Sequence, residues 1–197
     1  MKKKISLIFL IAFTTQLIIA CCDCHEPYKN EYKFEYLSAF NLDNSEANSV
    51  ISGSPIPRNA YGIKLQLGLR ELSLDRNHFS LFSQANVMCC LCGADTTITP
   101  RDTITSLKIT TINRFDDNHP KGSDVTELFK VLRHGNYVDI DSIIAHPDIY
   151  FKRTETEFIE LYLFTPPREA DEYSFKVDLA ISNDTHLSAQ TSAVNLK

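Results

Sequence analysis

The chain lacks several features that identify common classes of protein. It has no tryptophan, and its six glycines are spread thinly over 197 residues, so no glycine-rich phosphate-binding loop is present. It also lacks a basic excess, because 20 Lys and Arg stand against 25 Asp and Glu, a net charge of −5. Nucleic acid is bound through basic surfaces, so this balance argues against a nucleic-acid partner.

Catalytic signatures are missing as well. No G-x-S-x-G elbow places a serine beside a base, and the six histidines form no H-E-x-x-H or H-x-H pair. Glu155, Glu157 and Glu160 have the spacing of one exposed strand edge rather than of two glycosidase carboxylates. We therefore expect that the protein is not an enzyme and uses no cofactor.

The N-terminus carries the clearest pattern that is present. Lys2, Lys3 and Lys4 precede an apolar run over residues 5–20, and Cys21 follows directly. A basic start, a short apolar core and a small residue before the cut are typical of a secretory signal. The cysteine placed at the cut makes this segment similar to a bacterial lipoprotein signal, in which that thiol receives the lipid.

Two alternatives explain this segment less well. A transmembrane anchor takes roughly 20 predominantly apolar residues, whereas this run of about 16 is interrupted at Thr14, Thr15 and Gln16. Ordinary secretion requires small residues at −3 and −1, and Ile18 is large. We expect a lipoprotein signal over residues 1–20 and acylation of Cys21, as with palmitate. The expected location is the cell envelope, at the outer membrane. The sequence leaves open whether the protein faces the periplasm or the cell surface.

The length that remains predicts one domain. Of 197 residues, removing 1–20 leaves 177, enough for a substantial core. The removed segment holds three lysines and no acid, so the net charge falls from −5 to −8. Such a chain does not adsorb to anionic lipid, and its membrane attachment must come from acyl chains. We expect a tether over residues 21–30 and a folded domain over 31–197.

Six cysteines form two matching Cys-Cys-x-Cys clusters, which are Cys21, Cys22 and Cys24, and Cys89, Cys90 and Cys92. Outside the cytoplasm such thiols tend to oxidise. We expect that Cys22 or Cys24 pairs with the second cluster and staples the tether to the domain. The loop closed would hold about 66–70 residues, worth on the order of 4 kcal/mol. The sequence leaves the connectivity open.

Unpaired thiols and a metal or redox site are the alternatives for these clusters. Soft thiolates suit copper or zinc, and Cys22, Cys24 and His25 could bind such an ion together with the second cluster. However, the C-C-x-C arrangement of both clusters is a poor match to the common spacing of zinc ligands. We therefore expect no metal here, and keep thiol or metal binding as the alternative function.

Most of the remaining chain alternates apolar and polar residues with the period of half-buried strands. The alternating runs lie at residues 32–36, 61–70, 79–87, 104–113, 159–163, 173–181 and 187–196. Seven or eight such strands predict a mainly β fold, a single antiparallel β-sandwich of the immunoglobulin-like kind. Aromatics in these runs, such as Tyr32, Phe34, Tyr36 and Tyr61, are expected in the core rather than on a sugar-stacking platform.

One segment breaks the β pattern. Ser123 is a suitable N-cap, Leu128 and Leu132 belong to an apolar set at helical spacing, and Gly135 is a suitable stop. A second short helix is expected after Asp141. We therefore predict a short helical insertion around residues 123–146.

A polar loop precedes this segment. The loop over residues 116–124 is rich in oxygen ligands and contains His119, which suits calcium or a transition metal. It matches no EF-hand, so we expect a solvated loop.

Several segments resemble those of a family of uncharacterised Bacteroides-type lipoproteins. These segments are Cys21-Cys22-Asp23-Cys24, Asn30-Glu31-Tyr32-Lys33-Phe34, Ala60-Tyr61-Gly62-Ile63 and Asp102-Thr103-Ile104-Thr105. The resemblance covers most of residues 21–197 and implies no known activity. We expect a lipid-anchored binding or interaction module whose partner is an envelope protein or a glycan.

Overall fold

Alternating apolar side chains produce twelve strands in the residues that a computed structural model describes, which are 29–53, 55–72, 97–133, 135–145 and 156–197. The chain divides into two compact units, Met1–Asn30 with Ser73–Ile98 and Glu31–Leu72 with Thr99–Lys197. The sheets below belong to the second unit, apart from Lys29, Asn30, Thr97 and Ile98, which fall in the first. The predicted signal, His25, both cysteine clusters and the strand predicted over 79–87 lie outside the described residues.

The elements follow one another with short connections. The strands are β1 Lys29–Asp43, β2 Val50–Ile51, β3 Tyr61–Leu72, β4 Thr97–Pro100, β5 Ile104–Thr111, β6 Phe129–Arg133, β7 Asn136–Asp139, β8 Thr156–Leu163, β9 Asp171–Tyr173, β10 Phe175–Ile181, β11 His186–Gln190 and β12 Val194–Leu196. Short 3-10 turns occupy Arg58–Ala60 and Thr126–Leu128, and a helix, α1, spans Ile140–Ala145.

These strands pair into three sheets. A seven-stranded large sheet has the order β2-β1-β3-β8-β6-β7, with β4 also on β1. A three-stranded small sheet has the order β11-β10-β5, and β12 pairs with β9. Every strand pair with a resolved register is antiparallel. The predicted mainly β, antiparallel fold is therefore confirmed.

The large and small sheets share one apolar core. Phe175 of β10 is fully buried, and its ring lies 5.5 Å from the rings of both Tyr61 on β3 and Phe129 on β6. The Phe115 ring closes the same cluster at 6.3 Å from Phe175. Edge-on and tilted contacts of this kind favour aromatic pairs beyond the area they bury. The inward residues of both sheets thus form the two layers of a sandwich.

A buried polar link joins the large sheet to the segment before β12. The Tyr61 hydroxyl donates to Asn41 Oδ1 at 2.8 Å, and Asn41 Nδ2 donates to the Ser192 carbonyl at 2.9 Å. Burial raises the pKa of Tyr61, so the phenol stays a neutral donor. Because both partners are buried, losing either would leave the other unsatisfied.

The predicted helical insertion is corrected in its first half. Residues 129–133 form β6, which pairs with β8, and the short 3-10 turn Thr126–Leu128 lies directly before it. The Asp124 carboxylate accepts from the amide and the hydroxyl of Thr126, which tightens this turn. From Phe129 onward burial alternates with period two, and Gly135 sits at φ 80° in the β6–β7 turn rather than ending a helix.

The second half of that prediction holds. Helix α1, Ile140–Ala145, is the short helix expected after Asp141, although it begins one residue earlier. Ile140 is buried against the core, and Asp141 lies in its first turn.

Gly62 on β3 lies at a position in the large sheet where a side chain would collide with its neighbours. A Cβ there would lie 2.6 Å from the Leu161 carbonyl oxygen and 3.3 Å from Leu42 Cδ2. The first of these is backbone of the neighbouring strand, which cannot move without disturbing the pairing of β3 with β8.

We predict that Gly62→Ala destabilises the protein by about 1–3 kcal/mol, since an overpacked core strains its neighbours. The matched control is Gly53→Ala, because no atom lies within 4 Å of a Cβ at that position. Urea unfolding measures both variants. Equal midpoints for the two would contradict the close approach of β3 and β8.

Candidate functional site

The large sheet exposes aromatic rings on the face turned away from the core. Tyr36, Tyr137, Phe158 and Phe164 are each between 45% and 48% exposed. Tyr162 lies among them and is 6% exposed. These five residues are called the aromatic face. Contiguous exposed apolar surface on a soluble domain is a mark of binding, whereas single exposed residues need no explanation.

The outward face of the small sheet has the opposite character. Its central strand, β10, presents Lys176, Asp178 and Ala180 outward, and Lys176 pairs with Asp178 at 2.8 Å. The facing outward positions on β5 and β11 are Ser106, Lys108, Thr110, His186, Ser188 and Gln190. These outward side chains of the small sheet are polar or small. Exposed aromatic rings therefore distinguish the outward face of the large sheet from that of the small sheet.

Strand register brings the aromatic rings together. Tyr162 on β8 lies opposite Lys130 on β6, and Tyr137 on β7 lies opposite Leu132 of the same β6 strand. Phe164 follows the end of β8, where its amide donates to the Leu128 carbonyl at 2.9 Å. Side chains at alternate positions share a face, so these rings are neighbours.

A cleft of about 180 Å³ opens at this end of the aromatic face. The Tyr137 ring lies 5.5 Å from the Tyr162 ring and 4.8 Å from the Phe164 ring, with interplanar angles of 79° and 69°. Asn44 and Asn59 also line the cleft. The backbone of Asn44 is fixed because its backbone N–H donates to the Ala60 carbonyl at 2.9 Å. The other lining residues are Ala60, Tyr61 and Leu163.

The charged side chains beside these rings are paired. Lys64 Nζ lies 3.2 Å from Glu160 Oε1, and Lys130 Nζ lies 3.2 Å from Asp139 Oδ1. Each ammonium also lies over an exposed ring, Lys64 at 4.7 Å from the centroid of Phe158 and Lys130 at 5.7 Å from that of Phe164. Such cation–π contacts hold a ring in place at modest energy.

Glu160 organises the floor beside the cleft. It accepts from the Tyr162 hydroxyl at 2.7 Å and from Lys64. Partial burial alone would raise the pKa of Glu160, but these hydrogen bonds and the lysine charge hold it below its usual range. Burial and the bond to Glu160 raise the pKa of Tyr162 to about 12, so the hydroxyl remains a donor.

In the polar loop over residues 116–124, the carboxylate of Asp116 forms hydrogen bonds within the loop itself. Asp116 Oδ1 accepts from the amides of Asn118 and His119, both at 2.8 Å, and lies 2.9 Å from His119 Nδ1. Desolvation opposes ionisation of Asp116, yet these contacts keep its pKa below the usual range. Within the described ranges, no group of three or more His, Cys, Asp or Glu side chains could hold a metal ion.

The aromatic residues divide between the two faces. Tyr32, Phe34 and Tyr61 are buried, as the sequence predicted, but Tyr36 is exposed. The Tyr36 ring lies over the backbone of Gly68, where a Cβ would collide with it. The other exposed rings were missed. The alternation of side chains along the strand could have revealed two of them. Ile159, Leu161 and Leu163 are buried, and Phe158 and Phe164 lie at the positions that alternate with them.

A known family model matches residues 34–192, which include the small sheet, the large sheet apart from the first residues of β1, and the whole aromatic face. The chain belongs to the DUF5034 family, a domain of unknown function. No curated protein and no solved structure matches the chain. Among the helices in the described part of this DUF5034 protein, none is long and apolar enough to cross a bilayer.

Proposed function

We propose that this DUF5034 protein is a lipid-anchored binding module of the cell envelope, attached to the outer membrane through Cys21. The observation that carries the binding role is the aromatic face, four half-exposed rings on one side of a sheet whose other side is core. The attachment rests on the basic start, the apolar run over residues 5–20 and the cysteine after it.

The two parts of this proposal are consistent in charge. Without residues 1–20 the chain carries a net charge of −8 instead of −5, so electrostatics does not hold it on anionic lipid. Acyl chains would hold it instead and leave the aromatic face available to a partner, an envelope protein or a glycan. No catalytic motif in the sequence competes with a binding role.

The alternative function is thiol or metal binding by Cys22, Cys24, Cys89, Cys90 and Cys92, with His25. Two matched Cys-Cys-x-Cys clusters in one chain favour it. Stoichiometric copper or zinc with free thiols in the purified protein would support it, whereas a metal-free crosslink between the clusters would assign them a structural role.

The attachment is tested by labelling cells with a palmitate analogue. We expect label on the wild-type chain and none on Cys21→Ser, because only the first mature thiol is acylated. Cys22→Ser is the matched control and should keep the label. Label on Cys21→Ser, or a mature N-terminus at any other residue, would contradict the attachment.

The binding role is tested by co-sedimentation with insoluble envelope from cells that make the protein. Residues 21–197 with Cys21→Ser are used, so that no acyl chain contributes. We expect saturable sedimentation that falls about fivefold to tenfold in Phe164→Ala, since aromatic anchors dominate such contacts. Ile51→Ala, which removes a side chain that is 57% exposed and outside the aromatic face, is the control for a lost exposed apolar side chain. No sedimentation above background would refute the binding role.

A further inference from the structure

We infer that the cleft beside Tyr137 and Phe164 binds one uncharged saccharide ring of a glycan. The inference deepens the proposed binding role and rests on it. It follows from three properties of the cleft: the arrangement of its rings, the chemistry of its polar groups and the absence of charge among the residues that line it.

The rings form a corner rather than a stack. Tyr137 stands steeply to both Tyr162 and Phe164, at 79° and 69°. Tyr137 and Phe164 are 45% and 48% exposed, so part of each ring is open to a ligand. The face of an aromatic ring is electron-rich and attracts polarised C–H groups. A pyranose presents an apolar C–H face of this kind, and a corner can receive that face on one ring and its edge on another.

Two of the residues that line the cleft have side-chain amides. Asn44 and Asn59 each carry a carbonyl oxygen and an NH₂ group. An amide both donates and accepts, and so does each sugar hydroxyl, so adjacent hydroxyls can be satisfied in pairs. Ligand sites typically combine an aromatic lining with a few such polar groups.

The cleft offers no countercharge. All eight lining residues are uncharged, and the lysines nearest the rings, Lys64 and Lys130, are already paired with Glu160 and Asp139. The chain as a whole is acidic, at −5 over the full sequence. A polyanionic glycan would therefore meet repulsion without a compensating contact, whereas a neutral one loses nothing.

Size limits what the cleft can hold. Small-molecule pockets usually span about 300–1,000 Å³, and this cleft has about 180 Å³. It therefore takes a single ring, and the remainder of a longer glycan would extend over the half-exposed rings of the aromatic face.

The absence of tryptophan supplies a specific reporter. In Phe164→Trp, built on residues 21–197 with Cys21→Ser, the new indole is the only one in the chain and keeps a ring at the cleft. The probes are a neutral α-glucan, a neutral β-glucan and an α-mannan, with polygalacturonate as the anionic glycan and a proline-rich peptide as the competing class. Aromatic-lined grooves also bind polyproline segments, so the peptide is the informative comparison.

We expect a saturable shift of the indole emission with at least one neutral glycan, little changed by salt. By calorimetry, the chain with Phe164 intact should bind that glycan, and Phe164→Ala and Tyr137→Ala should weaken binding about fivefold to tenfold. Ile51→Ala should leave it unchanged, because Ile51 lies outside both the aromatic face and the cleft lining.

Three outcomes would overturn the inference. They are equal losses in Phe164→Ala and Ile51→Ala, tighter binding of polygalacturonate, and binding of the peptide with no response to any neutral glycan. Each of these can occur while Phe164-dependent sedimentation with envelope persists, in which case the ligand class is wrong and the binding role stands. Loss of both responses refutes the binding role itself.

Discussion

The burial of Phe175 between the two sheets is the contact on which the rest of the structure depends. Its ring lies 5.5 Å from Tyr61 and from Phe129, so one side chain of the small sheet is packed against two strands of the large one. Its backbone is fixed as well, since the amide donates to the Thr191 hydroxyl at 3.0 Å and the carbonyl accepts from the Thr191 amide at 2.9 Å. This contact decides which face of the large sheet becomes core, and therefore which face stays available.

We propose the face left over as a recognition surface. Its rings are half-exposed, yet they are held in place by neighbours: Tyr36 lies over Gly68, Phe158 under Lys64, and Phe164 beside Tyr137. Rings that are already ordered lose little conformational entropy when a ligand binds. The paired lysines and carboxylates beside them supply solubility without a net local charge. The outward face of the small sheet is polar. The chain therefore has enough polar residues to cover a sheet, and a lack of them does not explain the exposed rings of the large sheet.

The sequence predicted the strands well where one face of the strand is buried in the core. The alternation over residues 61–70 and 173–181 identified β3 and β10, because every second side chain there is buried. Residues 123–135 were mistaken for a helix since Leu128, Phe129 and Leu132 also fit a helical period, and only pairing with β8 settles the choice. The cleft could not be found from sequence, because Asn44, Asn59 and Tyr137 come together only through the sheet. The exposure of Phe158 and Phe164, in contrast, could have been predicted, because both lie at positions that alternate with the buried residues of β8.

The division of the large sheet into a dry face and an aromatic face is tested most directly by mild tyrosine nitration of the purified chain, mapped by mass spectrometry. Tyr36 and Tyr137, at 46% and 45% exposure, should be modified first. Tyr61 and Tyr173, at 1% and 2%, should be spared until the protein unfolds, helped by the raised pKa that burial gives both phenols. Early modification of Tyr61, or protection of Tyr36 and Tyr137 in the folded protein, would contradict the account.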